Sequence, residues 1–303
     1  YPNLTIACCA PTGRAAKRLA ELTNVSAYTI HSLLQWDLET NSFGKNEEEP
    51  LLIDLLIIVE FSMVDNWLFY NLAKAGAFIK KICFIGDEDQ LPSVSCGCLL
   101  RDLIQSELFP IVRLSRIYRQ SEGSDVVSLS HQIKIGETEK LHLTGDVAFF
   151  ERGIYDIRKS VLQIVENALA KGYDMNEIQV LSAKYSGLAG IDSLNNTLQA
   201  CLNPHDPYKR ELKVGYRIFR EGDKILQLKN QPDDDVYNGD IGTLVEIIYK
   251  NEDENNQDRI IVDFDGVIVE YTPDFFIHIT HAYCISIHKS QGSEYPIVIM
   301  PCV

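Results

Sequence analysis

Residues 55–93 read LLIIVEFSMVDNWLFYNLAKAGAFIKKICFIGDEDQLPS, and they determine the fold class of this chain. Two apolar runs, LLIIV at 55–59 and ICFI at 82–85, are separated by one amphipathic segment of helical length. Short runs of β-branched and aliphatic residues that alternate with single helices are typical of neighbouring strands in a buried parallel sheet. The stretch therefore predicts an α/β fold built on parallel strands.

Polar side chains follow both apolar runs. Glu60 comes directly after the first run, and Asp87 and Gln90 come after the second. In parallel sheets, binding sites lie just past the carboxyl ends of the strands. Carboxylates at adjacent strand ends suit a magnesium–nucleotide site, where one holds the water shell of the metal and another orients the attacking water. We therefore predict that these side chains belong to a nucleotide site.

Three motifs at these and later positions resemble a known family. EFSMVD at 60–65, GDEDQLPSV at 86–94 and ISIHKSQGSE at 285–294 resemble the nucleotidase and coupling motifs of superfamily 1 DNA helicases. The best match is the RecD/TraA branch, which includes the α-subunit of exodeoxyribonuclease V, and it covers nearly the whole chain in the order of the family. The resemblance implies two RecA-like domains, ATP and Mg²⁺ as cofactors, and 5′-to-3′ movement on single-stranded DNA in recombination, repair or plasmid transfer.

The resemblance also implies roles for single residues at the nucleotide site. Glu60, Asp87 and Gln90 take catalytic positions. The catalytic residue Arg119 matches an arginine that crosses to the γ-phosphate, and its guanidinium is permanently charged and can bind phosphate bidentately. A surface salt bridge is the alternative for this arginine.

Three more matches concern nucleotide binding. Gln120 follows the matched arginine as its partner in the motif. Gly292 and Glu294 match the nucleotide side of the last motif, where a carboxylate can accept hydrogen bonds from ribose hydroxyls. No residue is predicted to be a direct metal ligand.

Contacts to DNA are implied near both ends of the chain. In the family, backbone amides and a hydroxyl of the first DNA-contacting motif hold a phosphate of the tracking strand. The alternative is that Thr12 only caps a helix, and that HKSQGSE is likewise an ordinary helix cap. The matching residues are Pro11, Thr12, Gly13, Ser286, His288 and Lys289.

The remaining patterns predict the domain organisation. Residues 1–112 are expected to form a first RecA-like motor domain, and 113–212 with 280–303 a second. From 213 to 279, short alternating strands such as 259–264 and 267–271 are separated by tight turns, which is typical of a small antiparallel β-barrel. The resemblance implies that this barrel is an insertion lying against the DNA. It also implies a duplex-splitting hairpin at 35–50, although the composition there equally fits an acidic surface loop.

Smaller apolar runs predict further elements. Residues 110–114 and 147–150 are expected to be strands, and 155–171 and 191–202 are expected to be helices. With the strand expected at 178–181, this alternation predicts a second parallel α/β domain.

Composition limits the class of protein and its location. At 303 residues, 46% hydrophobic and 23% charged, the chain has the size and balance of a globular protein with two ordinary domains. No apolar run approaches the ~20 residues of a membrane span, and no signal-peptide pattern is present. The eight cysteines lie mostly in apolar runs and form no CxxC. Reduced thiols in a cytoplasmic protein without a membrane partner are therefore expected.

The net charge of −15 argues against a general nucleic-acid binder, which usually has a basic surface. The acidic residues are clustered, however, at 37–54 and 233–258, whereas Arg14, Lys17 and Arg18 lie together near the start. A translocating motor needs only a narrow channel for the backbone. Single-stranded DNA and single/double-strand junctions therefore remain the expected partners, with other recombination or nuclease subunits as further candidates.

Four features depart from the family. The chain contains no P-loop, GxxxxGK[ST], which the family places just upstream of residue 1, and the last family motif would follow Val303. Val59 stands where the family has an aspartate, and valine cannot accept a hydrogen bond from a magnesium-bound water. Glu60 remains as the candidate base for the attacking water. Ser286 replaces a threonine and keeps the hydroxyl.

Two functions from different classes are therefore open. The first is the motor core of an ATP-dependent DNA helicase. The second is a degenerate helicase-like scaffold that binds DNA or a partner without ATP turnover. Val59 favours the second for this chain, which we expect to be inactive alone, whereas a P-loop in neighbouring sequence would favour the first.

Overall fold

The computed structural model describes residues 4–37, 39–114, 124–137, 141, 143 and 145–302. These residues form two compact units. Unit 1 contains the residues up to Ile6 together with Leu34–Arg152, and unit 2 contains Ala7–Leu33 and Gly153–Val303. The domain boundaries expected at 112, 212 and 279 stay predictions, because this division follows compactness and does not separate the inserted region.

Strands and helices alternate through the first two thirds of the chain, and strands dominate the last third. The strands are Ile6–Ala10 (β1), Ala27–Thr29 (β2), Trp36–Asp37 (β3), Ser42–Phe43 (β4), Leu55–Ile58 (β5), Lys81–Phe84 (β6), Ile178–Ser182 (β7), Glu211–Val214 (β8), Arg217–Arg220 (β9), Lys224–Gln227 (β10), Ile241–Ile248 (β11), Arg259–Phe264 (β12), Val267–Tyr271 (β13), Ile279–His281 (β14), Cys284–Ser286 (β15) and Ile297–Ile299 (β16). The α-helices are Gly13–Thr23 (α1), Ile30–Leu33 (α2), Asn66–Ala75 (α3), Leu99–Gln105 (α4), Asp125–Ile135 (α5), Ile157–Ala170 (α6) and Ile191–Leu202 (α7). Short 3-10 helices cover Phe61–Met63, Pro232–Asp234, Pro273–His278 and Ile287–Ser290.

In unit 1, the two apolar runs form the parallel strands β5 and β6, with Leu55 opposite Lys81 and Ile58 opposite Phe84. The helix α3 connects them and begins at Asp65, whose Oδ1 accepts a hydrogen bond from the Leu68 backbone N–H at 2.7 Å. A carboxylate in this position satisfies one of the free amides at a helix start. The predicted strand–helix–strand unit is therefore confirmed.

A short antiparallel hairpin, β3 and β4, lies within the segment where the sequence predicts one. Trp36 pairs with Phe43 across the two strands. Their rings are 4.6 Å apart, and each also contacts the ring of Trp67 on α3, at 5.4 and 5.1 Å. Aromatic packing of this kind contributes about 0.5–1.5 kcal/mol per pair beyond area burial. It fixes the base of the hairpin to unit 1.

Unit 2 contains a parallel sheet of three strands in the order β15-β7-β16. The helices α6 and α7 bury their apolar faces against it, with Val165 and Leu198 almost inaccessible. The Asn195 side chain accepts from the backbone N–H of Cys284 at 2.8 Å and donates to the carbonyl of Cys284 at 2.9 Å, which ties α7 to β15. These elements confirm the predicted second parallel α/β arrangement.

The antiparallel region of unit 2 is a sheet in the order β13-β12-β11-β10-β14, accompanied by the hairpin of β8 and β9. Its core includes Phe219, Val262 and Tyr271, all nearly inaccessible to solvent. Alternating strands joined by tight turns bury one face in this way. The predicted antiparallel region is confirmed, and its insertion at residues 213–279 stays a prediction.

The strands expected at 110–114 and 147–150 are absent, so these two predictions are wrong. Val112 and Leu114 are 86% and 91% exposed, and Phe149 is 66% exposed. A run of apolar residues becomes a strand only where a neighbouring strand pairs its backbone groups. Within the described residues, these two segments have no strand partner.

One buried carboxylate joins the antiparallel sheet to the parallel α/β part of unit 2. Asp223 is completely buried, and burial alone would raise its pKa. Contacts with His281 and Asn203 outweigh burial, so the pKa of Asp223 lies below its usual value. Its oxygens contact Gln199 Nε2 at 2.7 Å, the Arg220 backbone N at 2.7 Å, Asn203 Nδ2 at 2.8 Å, Tyr283 Oη at 3.0 Å and His281 Nε2 at 3.2 Å.

The neighbouring Lys224 makes a second buried junction. Its Nζ donates to the carbonyl of Met175 at 2.8 Å, the carbonyl of Ile178 at 3.1 Å and Oε1 of Gln179 at 3.2 Å. These acceptors lie in and just before β7, so the lysine links β10 of the antiparallel sheet to the parallel sheet.

Replacing Lys224 by methionine is expected to lower the free energy of unfolding by about 1–3 kcal/mol, because the acceptors lose their donor and stay buried. Urea unfolding of Lys224→Met measures the loss. Lys250→Met is the control, since Lys250 is exposed and the same atoms are replaced. Equal stability of the two variants would contradict the buried junction.

No helix in the described part of the chain combines the length and apolar character that crossing a bilayer requires.

Candidate functional site

The loops that follow β5 and β6 meet at one edge of the sheet in unit 1. The Phe61 backbone N–H donates to the Ile85 carbonyl at 3.0 Å. A Cβ added to Gly86 would lie 3.1 Å from the backbone nitrogens of Phe61 and Ser62, so glycine permits a close approach of the two loops. Glu60 and Asp87 are the immediate neighbours of these residues. The structure therefore brings together the two strand-end loops that carry the predicted catalytic residues Glu60 and Asp87.

The backbone of Glu60 is unusual. It has φ 51° and ψ 38°, which is the left-handed region, and the side chain is half-buried. A residue with a Cβ pays about 1–2 kcal/mol there relative to the right-handed region. Strain of this kind is concentrated at functional sites, where it sets the direction of a side chain.

Asp87 and Gln90 lie on an exposed turn after β6. Asp87 Oδ1 accepts from the Asp89 backbone N–H at 3.0 Å, and the Asp87 carbonyl accepts from the Gln90 backbone N–H at 3.3 Å. The two acidic residues between them form ion pairs with basic residues of the same unit, Glu88 with Arg113 and Asp89 with Lys134. The ion pairs hold the turn and leave Asp87 next to the strand end.

These residues fit only part of a magnesium–nucleotide site. Glu60 and Asp87 supply oxygens that can hold and orient water. Val59, directly after β5, supplies no side-chain oxygen. Among the described residues, no group of three His, Cys, Asp or Glu side chains is placed to hold a metal ion. The donor set suits the orientation of water and lacks a direct anchor for the metal.

The second group of predicted residues lies at the start of α1 in unit 2. Pro11 precedes Thr12, whose Oγ1 accepts from the Ala15 backbone N–H at 3.3 Å and caps the helix. Gly13 is buried, and a Cβ on it would lie 2.0 Å from Cδ1 of Tyr237. The tyrosine ring therefore rests directly on the first residue of α1, and a larger side chain would displace it.

Tyr237 belongs to a segment that we call the 235–240 turn, residues Asp235–Asp240. Its backbone N–H donates to Asp240 Oδ2 at 2.8 Å. Gly239 has φ 103°, a conformation that favours glycine, and its N–H donates to the Gln227 carbonyl at 2.9 Å. Burial raises the pKa of Asp240, with the nearby Arg14 and Lys17 opposing the effect.

Three basic side chains from two distant parts of the sequence converge on this turn. Arg14 Nη1 donates to the Gly239 carbonyl at 3.3 Å, and Lys17 Nζ lies 3.0 Å from Asp235 Oδ2. Lys289 Nζ donates to Oδ1 of Asn238. Burial lowers the pKa of Lys289. For Lys17 burial acts in the same direction, but the contact with Asp235 outweighs it and the pKa is raised.

The other residues of the late motif surround Lys289. Ser286 Oγ accepts from the Lys289 backbone N–H at 3.4 Å and caps the 3-10 helix that follows, while His288 is exposed. Gly292, with φ 76°, and Glu294 are also exposed or partly exposed. Arg119 and Gln120 lie outside the described residues. In unit 2 the structure thus brings the early motif, the late motif and the 235–240 turn together.

Sequence reasoning identified the cluster of basic residues near the start of the chain and tight turns within 213–279, but not a contact between them. Arg14 and Lys17 are three positions apart and therefore lie on one face of a helix. That spacing was the available signal for a shared partner. The identity of the partner depends on a contact across more than two hundred residues, which no local pattern encodes.

Two family models match the chain. A model described as an AAA domain matches residues 2–96. A model described as the SH3 domain of ATP-dependent RecD-like DNA helicases matches residues 194–264, which include most of the antiparallel sheet.

Curated relatives match over nearly the full length of the chain. The ATP-dependent RecD2 DNA helicase of Deinococcus radiodurans is 32% identical over 98% of the chain and 39% of its own length. The RecBCD enzyme subunit RecD of Mycolicibacterium smegmatis is 27% identical, over 97% of the chain and 56% of its own length. The chain thus spans between about two fifths and just over half of these relatives.

Solved structures show the same fold. A structure of two coordinating Pif1 helicases at forked double-stranded DNA covers 98% of the chain and 75% of the solved chain, with a TM-score of 0.53 and 21% identity. Bacteroides Pif1 bound to single-stranded DNA covers 98% of the chain and 76% of the solved chain, with a TM-score of 0.51 and 20% identity.

Proposed function

Since this chain belongs to the RecD-like superfamily 1 helicases, we propose that it is the motor core of an ATP-dependent helicase moving 5′ to 3′ on single-stranded DNA. The observation that carries the proposal is the meeting of two candidate DNA motifs in unit 2. The start of α1 and the segment Ser286–Lys289 contact the same turn, through Gly13 and Lys289. A strand bound there would touch both motifs at once.

The chemistry of this face suits a phosphate backbone. Amides at the start of α1 and the hydroxyls of Thr12 and Ser286 can donate to phosphate oxygens. Arg14, Lys17 and Lys289 add positive charge along a narrow strip. In a chain of net charge −15, a narrow strip favours one strand held in a channel over a duplex spread on a broad basic surface.

At the nucleotide site, Glu60 would accept a proton from the attacking water, and its left-handed backbone would keep it aimed at that water. Asp87 and Gln90, on the turn after β6, would report the state of the nucleotide to the DNA-binding residues. Bound magnesium–ATP supplies the phosphoryl group and the neutralising charge. Arg119, Gln120, Gly292 and Glu294 complete the proposed contacts to phosphate and ribose.

One observation favours the second candidate, a scaffold that binds DNA without turnover. Val59 removes the oxygen that would anchor the metal's water shell. The relatives are named as an ATP-dependent RecD2 DNA helicase and as the RecD subunit of the RecBCD enzyme, and these names give this candidate no support.

Partners and location follow from the same premise. Forked and single-stranded DNA are the ligands named for the Pif1 structures, and we propose DNA of these kinds for this chain. The RecBCD subunit names suggest further subunits. A cytoplasmic location, close to DNA, is part of the proposal.

The expected result for DNA binding is a steep dependence on salt. Each phosphate neutralised on a single strand contributes a log–log slope of about −0.7. Arg14→Ala and Lys289→Ala are each expected to flatten the slope by about 0.7, because each removes one cation from the strip. Fluorescence anisotropy of a labelled oligodeoxythymidylate, titrated at several salt concentrations, measures it.

Lys159→Ala is the matched control, because Lys159 is an exposed lysine on α6, outside the strip. The control should keep the slope of the unchanged protein. Binding that is absent, independent of salt, or equally affected by all three variants would contradict the proposed DNA face.

A further inference from the structure

We propose that the 235–240 turn is a displaceable lid, which covers the DNA-binding face of unit 2 until the backbone of a single strand takes its place. The inference rests on the proposed function and adds a regulation to it. The basic side chains of the strip are those of Arg14, Lys17 and Lys289. Each basic side chain contacts an oxygen of the turn: Arg14 the Gly239 carbonyl, Lys17 the Asp235 carboxylate and Lys289 the Asn238 side chain.

A nucleic-acid strand also presents oxygen acceptors, namely the phosphate oxygens spaced along its backbone. A strand that enters the face exchanges carbonyl, carboxylate and amide oxygens for phosphate oxygens. The three basic side chains remain paired throughout, and the Asp235 carboxylate that loses Lys17 is exposed and can be solvated by water. A cation that changes partner in this way costs far less than one that loses its partner.

The ring of Tyr237 adds a steric barrier. It rests on Gly13 so closely that a single added carbon would overlap it. Gly13 is the first residue of α1, where unpaired amides are available for a phosphate. A phosphate that approaches those amides from the Cβ side of Gly13 therefore meets the ring.

The turn is built so that its tip can move while its base stays fixed. Val236 is buried in the core of the antiparallel sheet, at 1% exposure, and the Asp240 carbonyl accepts from the Gln227 backbone N–H at 2.8 Å. Asp235 and Asn238, which contact two of the basic side chains, are more accessible to solvent than Val236. Movement of residues 237–239 breaks the hydrogen bond from the Gly239 N–H to the Gln227 carbonyl, but it leaves the pairing of β10 with β11 and β14 in place.

A lid lowers the apparent affinity for DNA by the fraction of molecules in which it is open. Weakening the lid should therefore tighten DNA binding. The alternative is that the turn is a fixed wall of the channel, in which case weakening it removes DNA contacts. The two cases predict opposite changes in affinity.

The test is the double variant Asp235→Asn, Asn238→Ala. Asp235 has φ 56°, a conformation that asparagine tolerates, so the backbone is kept. The change removes an exposed ion pair and one hydrogen bond to a cation, and the affinity for labelled oligodeoxythymidylate is expected to rise about tenfold. Glu246→Gln on β11 is the control, because Glu246 is exposed and this variant loses the same single negative charge.

Affinity of the double variant that equals or falls below that of the control overturns the lid. Hydrogen–deuterium exchange gives a second readout. Added oligonucleotide should speed exchange at the amides of residues 237–239 if the turn is displaced, and slow it if the turn is a wall.

The lid and the proposed DNA face can fail separately. If Arg14→Ala and Lys289→Ala weaken binding while the double variant binds no more tightly than its control, only the lid is overturned. If no form of the protein binds the oligonucleotide, both are overturned. Binding by the double variant alone would support both.

Discussion

Val59→Asp is expected to raise DNA-stimulated ATP hydrolysis about a hundredfold, because it restores a preorganised electrostatic contact whose loss costs about 10²–10³ in turnover. Val59 lies directly after β5, next to Glu60 and beside the loop that carries Asp87. Without an oxygen at this position, Glu60 would have to hold the metal's water shell and could no longer orient the attacking water.

The measurement needs a P-loop, and residues 1–303 contain none. It therefore uses a fusion in which a segment with a P-loop precedes residue 1 and a segment with the last family motif follows residue 303. Steady-state ATP hydrolysis with and without oligodeoxythymidylate is then compared for the fusion and its variants.

Val59→Asn is the matched control, because asparagine has the shape of aspartate without its charge. It should recover little of the activity, and Glu60→Gln in the Val59→Asp background should abolish the gain. Equally robust turnover with valine and aspartate would show that Val59 is harmless and that the metal is anchored elsewhere.

The second large effect concerns stability. Asp223→Ala is expected to lower the free energy of unfolding by about 3–5 kcal/mol, the usual cost of removing one partner from a buried charged network. The substitution leaves the donors of Gln199, Asn203 and Tyr283 buried without their acceptor. Urea denaturation at neutral pH measures the loss.

The effect should depend on pH in a defined direction. Because the pKa of Asp223 is lower in the folded state than in the unfolded chain, its contribution is complete above the unfolded pKa of about 3.9. It is lost as the pH falls below about 4 and through the folded pKa. The stability difference between the wild type and Asp223→Ala should therefore be constant from neutral pH to about pH 5 and shrink at lower pH.

Asp263→Ala is the control for this prediction. Its carboxylate accepts one exposed hydrogen bond, from the Gly266 backbone N–H at 2.7 Å, in the hairpin between β12 and β13. A loss of about 1 kcal/mol is expected there. A similar small loss for Asp223→Ala would mean that the buried network contributes nothing beyond an ordinary hydrogen bond.

Local patterns in the sequence were sufficient for most of the elements and for the proximity of the loops that follow β5 and β6. The helix at 191–202 and the strands at 259–264 and 267–271 occur where they were predicted, residue for residue. Their periodicity is set by which face is buried, and that is visible in a short window. The proximity of these two loops followed from the rule that parallel strands end at one edge.

Contacts between distant segments were beyond such reasoning. The partners of Asp223 come from α7, β9, β14, the residue after α7 and the residue before β15, and only the folded chain brings them together. The same holds for the ring of Tyr237 on Gly13. The left-handed backbone of Glu60 has no sequence signal either, because glutamate shows no preference for that region.

The buried carboxylate of Asp223 determines which residues must accompany the antiparallel sheet if it is transferred to another protein. The matched SH3 region ends at residue 264, so it carries Asp223 but leaves out His281 and Tyr283. If that region alone were transferred into another protein, Asp223 would lack two of the side chains that hydrogen-bond to it. The antiparallel sheet thus depends on residues outside the matched region, and a transplant needs the chain through residue 284 to travel with it.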